Sequence, residues 1–179
     1  MGIAENAVAA DQSGAVAIDT DSQPSPARLD GIAPQYVRPF IGAILVARGL
    51  IAQQQLDEAL DEGTRTGERL GDVLVRRGWI FEQELAAALA LQYGLDYADL
   101  DAVPADPRAA ALLDPEVGVH FRALPLRIRD DGAVVVAVAD PTQDVVSELE
   151  HALGRRVELV VAEWSLIQEV WARLVSARA

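Results

Sequence analysis

The residues best suited to bind a ligand form one short motif, Arg69-Leu70-Gly71, at the predicted start of a helix. The first backbone N–H groups of a helix have no partner within it, so they favour an anion. Gly71 has no Cβ to keep a ligand away from the backbone, and Arg69 can bind a phosphate or a guanine edge through two hydrogen bonds. Gln92 offers an amide donor and acceptor for a base edge. The spacing alone nevertheless favours a plainer interpretation, with Gly71 in a close helix–helix contact and Arg69 at the surface.

Residues for catalysis or metal binding are scarce. The chain has no cysteine and no lysine, which excludes a thiolate nucleophile, a Cys-ligated zinc, a Schiff base and a P-loop lysine. His120 and His151 lie far apart and belong to no metal-binding motif. The pair Asp130-Asp131 is typical of a turn. We therefore predict no enzyme activity, no catalytic residues, no metal and no cofactor.

Composition limits the remaining classes of function. A chain of 179 residues with 51% hydrophobic residues is expected to form one or two small globular domains. Its net charge of −13 argues against DNA or RNA as a partner, because phosphate-binding surfaces need excess positive charge. We find neither a signal peptide nor an apolar run of about 18 residues, so we expect no direct membrane insertion. The absence of cysteine suits a cytoplasmic protein.

An internal repeat supplies the elements that would position Arg69. A shift of about 29 residues aligns the two copies, a period typical of helical repeats. The aligned pairs are Gly42 with Gly71, Leu45 with Leu74, Arg48 with Arg77, Gly49 with Gly78, Ile51 with Ile80, Gln54 with Gln83, Leu56 with Leu85, Ala59 with Ala88 and Leu60 with Leu89. Each copy predicts a short helix, a glycine stop and a second helix. Two such helical hairpins would form a small bundle.

The predicted helices of the repeat cover residues 39–48, 53–62, 68–77 and 82–93, and residues 63–67 form the link between the copies. In the second helix, Leu56, Ala59 and Leu60 are expected to be buried. Trp79 and Phe81 are expected to fill the space between the hairpins.

The segments on either side of the repeat have a different character. Residues 1–36 predict a disordered acidic leader, residues 37–94 the helical repeat, and residues 95–179 an α/β subdomain. In the subdomain we predict two short helices capped by Asp106 and Asp114, and a hairpin of strands 123–129 and 133–139. A helix beginning at Asp140-Pro141, a strand over 157–161 and a final helix from Ser165 follow. The predicted class is α+β, an N-terminal helical-hairpin repeat bundle followed by a small α/β subdomain with a short β-sheet and packed helices.

The second copy reads R-L-G-x-x-L-x-x-x-G-x-I-x-x-x-x-L-x-x-x-L-x-x-Q. This pattern resembles the MshEN domain, the N-terminal domain of type II secretion and type IV pilus assembly ATPases of the GspE/PilB kind, also found on some bacterial glycosyltransferases. The resemblance extends into L-P-L and V-A-V-A-D-P of the subdomain and covers about residues 37–175. In this family the domain binds cyclic di-GMP, with one copy of the motif for each half of the ligand.

The resemblance implies a set of ligand-binding residues in each copy. From the second copy these are Arg69, Leu70, Gly71, Leu74, Leu85, Leu89 and Gln92, and from the first copy Ile41, Gly42, Leu45, Leu56 and Leu60. The first copy departs from the motif, since Phe40 stands in the position of the arginine, Ile41 in that of the leucine and Gly63 in that of the glutamine.

The resemblance therefore implies a non-enzymatic regulatory or docking domain of a bacterial secretion, pilus or polysaccharide-synthesis system, binding cyclic di-GMP through the second repeat. The alternative is a purely structural adaptor that has lost nucleotide binding. The expected partners are cyclic di-GMP and the cytoplasmic part of an inner-membrane assembly protein, or a secretion or pilus ATPase or a glycosyltransferase.

Overall fold

The computed structural model describes residues 40–176, apart from the side chain of Gln143. The predicted leader and the predicted helix start at Pro39 lie outside these residues.

Within the described residues, eight helices and four strands follow one another. They are α1 Ile41–Ala47, α2 Gln53–Thr66, α3 Leu70–Arg76, α4 Glu82–Tyr93, β1 Asp96–Tyr97, α5 Pro107–Ala110, α6 Pro115–His120, β2 Ala123–Ile128, β3 Val134–Val138, α7 Gln143–Leu153, β4 Val157–Val161 and α8 Trp164–Ser176. The strands form one mixed sheet in the order β1-β4-β3-β2. The predicted α+β class is confirmed.

The two copies of the repeat fold alike. Helices α1 and α3 each have seven residues and are followed by glycines with φ of +69°, Gly49 and Gly78, so the predicted glycine stops are confirmed. Helix α1 packs against α4, and α2 packs against α3. The two copies therefore pack against each other, and their apolar residues share one core.

Three predictions about the repeat are wrong. Helix α2 continues through Gly63 to Thr66 and ends at Gly67, because the backbone stays helical until a left-handed φ of +78°. Leu60 is 47% exposed and Phe81 is 78% exposed, so neither fills the core. Trp79 is half-buried, and the guanidinium of Arg77 lies 5.3 Å from its ring centroid.

A buried carboxylate joins the two copies. Glu62, on α2, is only 8% exposed and accepts hydrogen bonds from Arg76, at 2.6 Å, and from Arg77. The bond from Arg76 has the larger effect, and together the two bonds hold the pKa of the Glu62 carboxyl below its usual range. Since Glu62 lies on the first copy and both arginines on the second, this cluster fixes how the copies meet.

The sheet forms as its sequence predicts, with one strand added. Strands β2 and β3 pair as an antiparallel hairpin around Gly132, whose φ is +81°, and β4 runs parallel to β3. Strand β1 was not predicted, and it pairs in parallel with β4. Helix α7 begins at Gln143 after Thr142, two residues later than expected. Asp106 and Asp114 cap their helices as predicted, each accepting a backbone N–H at 2.8 Å.

Helix α4 connects the repeat to the sheet. Ala86 and Ala90 of α4 pack on Val161 of β4, while the sheet's main core lies on the side of α8. The strand-pairing residues of β3 are all buried. No helix in the described part of the chain is long and apolar enough to cross a membrane.

Candidate functional site

A groove of about 350 Å³ opens beside the start of α3. Its walls come from α1, α3, α4 and the residues that flank β2 and β3, and it is lined by Ile41, Arg69, Leu70, Gly71, Asp72, Leu85, Leu89, Arg122, Ala139 and Asp140. A neighbouring cavity of about 390 Å³ shares five of these residues and continues toward Glu82, Glu163 and Trp164. The two cavities therefore adjoin each other where the repeat meets the residues that flank the sheet strands.

The residues predicted from the motif fall into three groups. Six line the groove, namely Arg69, Leu70, Gly71, Leu85, Leu89 and Ile41. Four are buried within the helical repeat, namely Gly42, Leu45, Leu56 and Leu74. Leu60 is exposed on α2, and Gln92 is half-buried on the last turn of α4 and lines neither cavity.

Gly71 is both a helix contact and part of the groove wall. A Cβ added at Gly71 would lie 2.7 Å from Cδ2 of Leu85, and a Cβ at Gly42 would lie 2.6 Å from Cδ1 of Leu56. The same glycine–leucine contact thus occurs in both copies. It brings the leucine of the following helix against the backbone of the preceding one, which places Leu85 at the floor of the groove.

Arg69 is held by an acidic partner. Its Nη1 lies 2.7 Å from Oδ2 of Asp140, which follows β3, and its side chain remains 56% exposed. A guanidinium carries five N–H groups, so donors remain for a ligand. The sequence pattern does not predict this pair, since it places Asp140 at the start of a helix.

A second ion pair, Asp72 with Arg122, lines both cavities. Nη1 and Nη2 of Arg122 donate to Oδ1 and Oδ2 of Asp72 at 2.8 and 2.7 Å, a bidentate contact. Hydrogen bonding to Asp72 raises the pKa of the Arg122 guanidinium. The Arg122 backbone has a φ of +49°, unusual for a side-chain-bearing residue, and its guanidinium lies 5.3 Å from the ring centroid of Trp164. Arg122 is not part of the sequence motif, and the motif gives no indication that Asp72 forms an ion pair.

The chemistry of the groove is that of recognition. It carries two arginines, two carboxylates and an apolar floor of Ile41, Leu85 and Leu89. Such a surface can take the face of a planar group and offer both donors and acceptors to its edge. His120 and His151 are exposed elsewhere, His120 with its ring against Phe121 at 4.8 Å between centroids. Among the described residues, no group of His, Cys, Asp or Glu is arranged to hold a metal ion.

This architecture has clear relatives among known proteins. The sequence pattern of the MshEN domain family matches residues 93–179. A solved structure of MshE with cyclic di-GMP is 30% identical, has a TM-score of 0.65, and aligns over 76% of this chain and 99% of that one. The chain belongs to the MshEN domain family.

Longer proteins carry a similar segment. The type IV pilus assembly ATPase PilB of Myxococcus xanthus is 33% identical over 134 residues, 74% of this chain and 24% of that protein. Bacteriophage adsorption protein B of Escherichia coli K12 is 32% identical over 125 residues, 70% of this chain and 16% of that protein. The chain thus spans about a quarter or less of the length of these relatives.

Proposed function

We propose that this chain is a non-enzymatic regulatory or docking domain of a bacterial secretion, pilus or polysaccharide-synthesis machine, and that it binds cyclic di-GMP through its second repeat. The observation that carries the proposal is the Arg69–Asp140 pair, 2.7 Å apart beside an apolar floor. The alternative is an adaptor without a nucleotide ligand.

The pair matches the edge of a guanine. Guanine offers acceptors at O6 and N7 and donors at N1 and N2. The free N–H groups of Arg69 can donate to the acceptors, and the carboxylate of Asp140 can accept from the donors. Adenine has an amino group in place of O6 and no hydrogen at N1, so it would leave both side chains poorly satisfied. We therefore expect the groove to prefer guanine.

The floor of the groove suits the face of the base. Leu85 and Leu89 lie one helical turn apart on α4 and present their side chains to the groove beside Ile41 of α1. Apolar contact on the face and polar contact at the edge is the usual way in which a pocket binds a small planar ligand. The structural match to MshE, whose structure contains cyclic di-GMP, supports the same ligand for this chain.

The role in a larger machine is a proposal from the relatives. A matching segment occurs in a pilus ATPase and in a phage adsorption protein, so this domain is compatible with more than one kind of apparatus. We propose that ligand binding changes how the domain docks on its partner, either an ATPase, a glycosyltransferase or the cytoplasmic part of an inner-membrane assembly protein.

Calorimetric titration tests the ligand. Cyclic di-GMP would be titrated into the protein at about 150 mM salt, where exposed charges are screened beyond about 8 Å. We expect saturable binding, weakened by Arg69→Ala by about tenfold or more, because a charged hydrogen bond contributes about 1.5–3 kcal/mol. Arg129→Ala is the matched control. Arg129 is 47% exposed and pairs with Glu158 at 2.6 Å outside the groove, so its removal should leave the affinity unchanged.

Two outcomes would contradict the proposal. Absence of heat at high micromolar ligand would refute nucleotide binding and favour the adaptor, whose partner would then be sought by pull-down with the intact chain. Equal losses in Arg69→Ala and Arg129→Ala would show that the arginines act through net charge rather than through a site.

A further inference from the structure

The first repeat places a phenylalanine in the position that Arg69 occupies in the second. Phe40 precedes α1 with φ −58° and ψ 143°, and Arg69 precedes α3 with φ −72° and ψ 146°. Both are followed by a helix of seven residues whose second residue, Gly42 or Gly71, contacts a leucine of the next helix. The two side chains therefore leave the backbone in equivalent directions relative to their own copies.

The side chain of Phe40 is apolar and exposed. Phe40 is 80% exposed, and Leu60, which aligns with the groove residue Leu89, is 47% exposed. Ile41, the residue after Phe40, lines the groove of the second copy. Helix α1 also packs against α4, which carries the groove floor. Phe40 therefore lies beside the groove, next in the chain to one of its lining residues.

A large aromatic side chain that is almost fully exposed gains free energy when a flat partner covers it. A base is such a partner, and stacking on an aromatic ring tolerates any base because every base has a π-face. Unlike Arg69 with Asp140, a phenyl ring offers no donor or acceptor to a base edge.

We propose that Phe40 stacks on the second base of a cyclic dinucleotide whose first base, a guanine, is held by Arg69 and Asp140. This inference rests on the proposed function. One half of the site reads the base edge and the other half reads only the base face. The chain therefore selects for one guanine and accepts either purine in the second position, so a mixed cyclic dinucleotide of one guanine and one adenine is a ligand.

The test compares four ligands by calorimetry: cyclic di-GMP, the mixed guanine–adenine cyclic dinucleotide, cyclic di-AMP and GMP. We expect the mixed dinucleotide to bind within about threefold of cyclic di-GMP, and cyclic di-AMP at least about tenfold more weakly. Phe40→Ala should weaken both guanine-containing dinucleotides about tenfold and leave GMP unchanged, because a stacked base is lost only from the dinucleotide.

Two further variants separate stacking from other effects. Phe81→Ala removes another exposed phenylalanine, 78% exposed. Phe81 precedes α4 rather than α1 or α3, so it does not occupy the position equivalent to Arg69, and the Phe81→Ala variant should bind every ligand as the original chain does. Phe40→Leu keeps an apolar side chain without a ring. In NMR spectra of the bound ligand, one base H8 signal should be shifted upfield by the ring of Phe40, and the shift should vanish in Phe40→Leu.

The outcomes distinguish this inference from the proposed function. If the chain binds cyclic di-GMP and Phe40→Ala binds it equally well, the stacking role is refuted while the groove remains a receptor. Binding of the mixed dinucleotide as weak as that of cyclic di-AMP would also overturn it, since both bases would then be read at their edges. If the original chain binds none of the dinucleotides, both proposals fail together.

Discussion

Gly118, on α6, lies directly against the side chain of Trp171, on α8. A Cβ added at Gly118 would lie 2.5 Å from Cζ2 and 2.9 Å from Nε1 of Trp171. Trp171 is 2% exposed and donates a hydrogen bond from Nε1 to the carbonyl oxygen of Ala123 at 2.9 Å. The indole cannot swing toward solvent, so Gly118→Ala must displace it within the core.

The expected cost follows from three effects. Overpacking a core of this density costs about 1–3 kcal/mol. Loss of the buried Trp171–Ala123 hydrogen bond through this displacement costs about 1–3 kcal/mol. Alanine in a helix gains about 1 kcal/mol over glycine, which offsets part of this. We therefore expect Gly118→Ala to lower the free energy of unfolding by about 1–5 kcal/mol, and the melting temperature by roughly 3 °C for each kcal/mol.

Urea and thermal unfolding, followed by circular dichroism, measure this change. Val119→Ala is the control, because Val119 is the next residue and is 45% exposed, so its loss should cost no more than about 0.5 kcal/mol. Combining Gly118→Ala with Trp171→Phe should cost less than the sum of the single changes, since the smaller ring relieves the contact. A Gly118→Ala protein as stable as the original would refute the packing argument.

Two further predictions concern polar contacts, one within the α/β subdomain and one between the repeat and that subdomain. Burial, with a hydrogen bond donated to Glu163 at 2.9 Å, raises the pKa of Tyr97 to about 12 from 10.0. The contribution of the neutral Tyr97 hydroxyl to stability is therefore complete below about pH 10 and is lost as the pH rises through about 12. Tyr97→Phe should remove this step from alkaline unfolding curves. Unchanged curves would contradict the assignment. Asp72→Asn should weaken the bidentate contact with Arg122 and lower the free energy of unfolding by about 1 kcal/mol, a small value because both side chains are partly exposed. A double-mutant cycle with Arg122→Gln, measured by urea unfolding, would contradict this if it showed no coupling.

Much of the secondary structure could be predicted because its signals are local. The bounds of α4 are as predicted, and the side chains of Asp106 and Asp114 cap helices within two residues of themselves. The glycine stops depend on a left-handed φ that glycine adopts at little cost. Each of these features is decided within about one helical turn.

The missed strand and the exposed Leu60 and Phe81 have a non-local cause. Strand β1 has only two residues, and its pairing with β4 depends on a segment far along the chain. Leu60 and Phe81 have the spacing of core residues but remain exposed, because the neighbouring helices pack elsewhere. Gly63 stays helical while the chain turns at Gly67, and a Cβ at Gly63 would lie 2.8 Å from the carbonyl oxygen of Glu68.

The sequence by itself determined the repeat, the fold class and the part of the motif that lines the groove. Amphipathic periodicity, helix capping and glycine stops depend only on residues close together in the chain. Only the tertiary structure decided which charges meet in that groove. Asp140 reaches Arg69, and Arg122 reaches Asp72, because separate elements of the repeat and the sheet fold against each other. Nothing in the local sequence of an arginine specifies its carboxylate when that carboxylate lies on another element, since an ion pair depends on distance in space.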